Sequence, residues 1–91
     1  MISMKITLKP QECLGQYRFD GKIVFTRNFG NIFQDKTTEV ILVSMSLILE
    51  LVRKNMADYF QVLEVETDTF KGNIWIIDSV DYVTALMPED Y

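Results

Sequence analysis

The stretch VILVSMSLIL, from Val40 to Leu49, places eight apolar residues in ten positions near the middle of the chain. The thirteen residues from Val40 to Val52 fall short of the ~20 needed to span a bilayer. Ser44, Ser46 and Glu50 interrupt them. The run therefore reads as a buried helix of a soluble domain and not as a membrane segment. It starts at a cap offered by Asp35 or Thr37 and ends near Arg53 and Lys54, charges that suit the C-terminal end of a helix dipole. At 100° per residue, Glu39, Ser46, Glu50, Arg53 and Lys54 share a polar arc of roughly 100° with Val43. The apolar arc, from Leu47 through Ile48 and Met45 to Leu42, spans about 220°, whereas packing on one sheet needs little more than 100°. Either a curved sheet with the aromatics Phe29 and Phe33 covers the remainder, or a second copy of the chain does. For the second case the candidate interface is Ile41, Met45, Ile48 and Val52.

The rest of the chain supplies a sheet for that helix. With 91 residues, 48% of them apolar and 24% charged, it has the balance of one folded domain over residues 1–91. KITLK, from Lys5 to Lys9, alternates as a half-buried strand does, and Pro10 stops it. QYRFDGKIVFTR places two β-prone segments around Asp20-Gly21, which predicts a hairpin with a two-residue turn. Asn28, Gly30 and Asn31 predict a loop before the helix. After the helix, FQVLEVETDTF alternates, with Val62, Glu64, Glu66 and Asp68 on one face and Leu63, Val65 and Thr67 on the other. Lys71-Gly72-Asn73 predicts a turn into IWIIDSVDYVTALM, which Asp78-Ser79 breaks into two strands. The fold class this implies is α+β: a mostly antiparallel sheet with one long, mainly buried helix packed on it.

Composition narrows the chemistry. There is no histidine and a single cysteine, Cys13, so no intramolecular disulfide forms and no cluster of zinc-ligand type exists. Cys13 reads as a small, partly buried hydrophobe. No P-loop, nucleophile elbow or dinucleotide fingerprint occurs. The expectation is no catalytic residue, no metal site and no cofactor. Asp78, Asp81, Glu89 and Asp90 lack the spacing of a calcium loop and read as solvated turn residues. The start of the chain has no hydrophobic core of signal-peptide type, so the expected compartment is the cytoplasm.

Charge suggests two further candidate sites. Residues 1–57 carry net +3 and residues 58–91 net −7, so strands from the two halves would attract if paired, or would face different partners. Glu64, Glu66 and Asp68 form an acidic comb whose ~6.8 Å spacing is near that of successive nucleic-acid phosphates. The comb is a candidate acidic partner-binding site that imitates DNA toward a basic protein. Arg18, Lys22 and Arg27, interleaved with Tyr17, Phe19, Phe25 and Phe29, form a candidate single-stranded nucleic-acid site. A sequence pI near 4.6 argues against that partner class.

Three pieces together, Thr26-Arg27 ahead of the helix, ADYFQVLEV at Ala57–Val65 and the ending IIDSVDYVTALMPEDY, carry a resemblance. They resemble an uncharacterised family of small proteins from low-GC Gram-positive bacteria, often carried on phages or integrated mobile elements. The chain departs from that family in its longer N-terminal strand and hairpin. The resemblance implies an accessory protein and assigns no catalytic residue. The leading expectation is thus a cytoplasmic accessory protein acting through a protein partner, with a homodimer as one form of that partnership.

Overall fold

The computed structural model describes residues 4–10 and 15–91, and Cys13 lies outside the described residues. Five strands, β1 (Lys5–Leu8), β2 (Lys22–Phe25), β3 (Phe60–Glu66), β4 (Lys71–Asp78) and β5 (Tyr82–Leu86), form one sheet in the order β1-β3-β4-β5-β2. Every neighbouring pair is antiparallel except β2–β5. Helices α1 (Arg27–Phe33) and α2 (Thr37–Arg53), joined by a 3-10 turn at Gln34–Lys36, cover one face of this sheet. The α+β class expected from the sequence is the one observed.

The helical segment begins earlier than Asp35 or Thr37. Thr26 caps α1, its hydroxyl accepting the Phe29 N–H at 3.2 Å, so residues 28–31 are helical and not a loop. This places Phe29 and Phe33 on a helix face, where both are buried with Val40, Ile41, Met45 and Ile48. α2 ends in a Schellman motif. Asn55 has φ 57°, its N–H donates to Val52 O at 3.0 Å, and Met56 N–H donates to Leu51 O at 2.9 Å.

The hairpin expected at Asp20-Gly21 does not form. Instead residues 16–21 cross along one end of the sheet, from Ala57 just ahead of β3, past Asp78 at the end of β4, to the start of β2. Gln16 makes an isolated bridge with Ala57, and Phe19 N–H donates to the Asp78 carboxylate at 3.1 Å. The Phe19 ring is buried, so a core position displaces it from the turn. Gly21 is needed for closeness and not for positive φ: a Cβ there would stand 2.6 Å from Val80 O. β2 consequently leaves the crossing parallel to β5, with Ile23 beside Val83 and Phe25 beside Ala85.

The β3–β4 turn also differs from the expected one. It falls at residues 67–70, where the Thr67 hydroxyl accepts the N–H groups of Thr69 and Phe70 at 3.2 and 3.1 Å. Lys71-Gly72-Asn73 belong to β4, and the Phe70 ring lies 3.0 Å from where a Gly72 Cβ would sit. Asp78-Ser79 does separate β4 from β5, as expected. Ser79 N–H bonds Tyr82 O at 2.8 Å, and Val80, at φ 74°, sits in a turn closed by Asp81 N–H to Ser79 O at 2.9 Å.

Candidate functional site

Strand alternation sends Leu63, Val65, Ile74, Ile76, Val83 and Ala85 under the helices, where all six are buried. The opposite face has no α-helix on it among the described residues; the 3-10 turn Pro88–Asp90 reaches β4 and brings Tyr91 onto the apolar end of that face. Its β1 end is polar, with Lys5 and Lys71 both opposite Glu66, and Thr7 and Asn73 both opposite Glu64. Toward β5 it turns apolar: Val62 pairs with Trp75, Trp75 with Leu86, and Phe60 with Ile77. The Phe60 and Trp75 rings lie 4.8 Å apart, and Tyr91 packs edge-on to Trp75 at 5.5 Å. Tyr59 continues the cluster, 6.1 Å from Phe60 and 5.8 Å from Tyr17. Tyr59, Ile77, Thr84, Leu86 and Tyr91 share a cleft of about 380 Å³. The arrangement can bind apolar or aromatic side chains of a protein and presents no paired acid and base.

The turn that carries Tyr91 is held by carboxylates at the start of α1. Asp90 Oδ2 accepts the Thr26 hydroxyl at 2.6 Å and Met87 N–H at 3.0 Å, while Asn28 Nδ2 donates to Asp90 Oδ1 at 3.1 Å and to Glu89 at 3.2 Å. The Thr26 hydrogen bond above all holds the Asp90 carboxyl below the ordinary aspartate range. Asp78 is not a solvated turn residue. It is buried and accepts two backbone N–H groups, from Phe19 and, at 2.8 Å, from Val80. No three His, Cys, Asp or Glu side chains among the described residues are grouped to hold a metal ion.

The other sites expected from the sequence are dispersed. Ile41, Met45 and Ile48 are core residues facing the sheet, so they offer no free interface; Val52 is half-buried at the core's margin. The sheet takes about 160° of the apolar arc. The uncovered remainder on α2 is Leu42 and Leu49, at 60% and 42% exposure. Glu64 and Glu66 do stand together on the open face, but Asp68 lies in the following turn. There it meets Lys36 Nζ at 2.6 Å, and that hydrogen bond holds its carboxyl below the usual range. The comb is thus two glutamates, Glu66 flanked by Lys5 and Lys71 and Glu64 by Thr7 and Asn73. Lys22 and Arg27 stand at opposite ends of β2, roughly 16 Å apart along the strand. Arg18 lies in the crossing segment, and Phe19 and Phe29 are buried, which leaves no continuous basic and aromatic surface.

The open aromatic face was visible in one signal. IWII is apolar at successive positions, the pattern of a strand with both faces apolar, whereas a strand with one wet face alternates. Compared with family models, curated proteins and solved structures, the chain has no match.

Proposed function

We propose that the chain is a non-enzymatic accessory protein that acts in the cytoplasm by binding a protein partner through the open face of its sheet. The observation that carries this reading is the aromatic and aliphatic cluster Phe60, Val62, Trp75, Ile77 and Tyr91 on the face opposite the helices. An apolar sheet face with a polar margin is the composition of a recognition surface. The sequence resemblance to an uncharacterised family often carried on phages and mobile elements implies an accessory role, which agrees with it. No helix among the described residues is long and apolar enough to cross a membrane.

The test is affinity capture from a Gram-positive host lysate with three baits: wild type, Val62→Glu/Ile77→Glu, and Glu64→Lys/Glu66→Lys. Each bait is first shown to be folded by circular dichroism. A protein captured by wild type and by the lysine variant, but lost with the open-face variant, supports the reading. Retention by the open-face variant overturns it, and loss confined to the lysine variant points to acidic mimicry instead.

A further inference from the structure

The sheet has two edges, guarded unequally: β1 has a lysine at both ends, whereas β2 has one exposed lysine, Lys22, at its first position. β1 carries exposed Lys5, with Lys9 and Pro10 directly after it. Lysine and proline are the usual devices against edge pairing. Two β1 strands paired antiparallel about Thr7 would set Lys5 against Lys9 of the other copy. β2 has none of these devices along Ile23, Val24 and Phe25. Lys22 N–H bonds Asp81 O at 3.0 Å and Thr26 N–H bonds Ala85 O at 3.1 Å. Residues 22, 24 and 26 therefore address β5, and the N–H and C=O groups of Ile23 and Phe25 point out of the sheet. Their side chains are 44% and 50% exposed.

We propose that β2 is a self-association edge, at which two copies of the chain pair antiparallel about Val24. In that register Ile23 of each copy faces Phe25 of the other. Both are hydrogen-bonding positions, so the four unpaired groups on each edge are satisfied together in two doubly bonded pairs. The exposed Ile23 side chain covers the exposed Phe25 ring, both on the helix side of the sheet. Lys22 falls opposite Thr26 of the other copy, and Arg27 of that copy falls opposite Gly21, between Asp20 and Lys22. The contact is isologous and closes as a dimer. It joins two sheets edge to edge, with both open aromatic faces on one side. This surface is separate from the aromatic face and stands whether or not that face binds a partner.

The test is light scattering on the full chain, diluted from about 1 mM to about 1 μM, combined with amide hydrogen exchange at both ends of the series. Wild type is expected to weigh twice 10.6 kDa when concentrated and 10.6 kDa when dilute. The amides of Ile23 and Phe25 are expected to be protected only when concentrated. Ile23→Pro removes just an outward N–H, which an edge strand tolerates, and is expected to weigh 10.6 kDa throughout. Ile23→Lys keeps the N–H, sets a charge against Phe25, and is expected to weaken association at least ~10-fold. A wild type of single-chain mass at every concentration overturns the proposal. So does a dimer whose Ile23 and Phe25 amides exchange freely, or one that Ile23→Lys leaves unchanged.

Discussion

Removing the Asp78 carboxylate tests how the crossing segment is held. Asp78 is 6% exposed and accepts Phe19 N–H at 3.1 Å and Val80 N–H at 2.8 Å. Both donors belong to residues at positive φ, 51° and 74°, conformations that bulky side chains adopt only under constraint. A hydrogen bond to a charged acceptor is worth about 1.5–3 kcal/mol. Val80 is 71% exposed, so water can replace its bond, whereas the bond from buried Phe19 has no such substitute. Asp78→Ala should therefore cost about 3 kcal/mol, against the roughly 5–14 kcal/mol expected for a domain of this length. That is a fall of about 12–24 °C in Tm. Asp78→Asn keeps one acceptor oxygen and should cost about half as much. Urea unfolding measures both, with unchanged m-values showing that the folded state is otherwise intact. In hydrogen exchange, Phe19 and Val80 amides should lose protection before the β3–β4 ladder does. An Asp78→Ala variant within about 0.5 kcal/mol of wild type would refute the reasoning.

Three further outcomes follow from particular contacts. Ser44 is fully buried on α2 and its hydroxyl has no hydrogen-bond partner among the described residues, so Ser44→Ala should raise stability by about 0.5–1 kcal/mol in urea unfolding; a loss of that size would contradict the unpaired hydroxyl. Gly21→Ala drives a Cβ to 2.6 Å from Val80 O and 2.8 Å from Asp81 O, both backbone atoms, and should cost about 1–3 kcal/mol in thermal unfolding. The carboxyls of Asp68 and Asp90 are held low by Lys36 and Thr26, so their contributions are whole above pH ~4 and are lost as pH falls through the folded values. Tm measured from pH 5 to pH 2 should fall in that window, and Lys36→Met with Thr26→Ala should flatten the fall.

The helix and the strands were legible because their periods are written in side chains that must be buried. Val40, Ile48, Leu63 and Val65 all sit in the core that their periodicity assigns, and Ile74 and Ile76, from an unbroken apolar run, join them there. What the sequence concealed lies where one residue type serves two physical needs. Asp20-Gly21 reads as a turn because glycine tolerates positive φ, yet here glycine serves a backbone approach and Phe19 goes to the core. Asn28, Gly30 and Asn31 read as a loop by propensity. The Thr26 cap and the burial of Phe29 and Phe33 override that preference. The width of the apolar arc signalled that more than a narrow stripe is covered, but not by what. Ile41, Met45 and Ile48 belong to the chain's own sheet, and the spare apolar surface lies instead at Leu42 and Leu49, on the open sheet face and on β2. Cross-strand pairing also decides charge: Glu66 meets Lys5 and Lys71 only once the register is known.

One face of the sheet is covered by helices, and the proposed function requires the other to be accessible to a partner. Methyl NMR with a soluble paramagnetic probe, at low protein concentration, reads the two faces of the same strands separately. The methyls of Val62 and Ile77 should be strongly relaxed, and those of Leu63, Ile74 and Ile76, buried under the helices, should be spared. Equal protection of both sets would mean that the open face is covered within the chain, and would contradict the account.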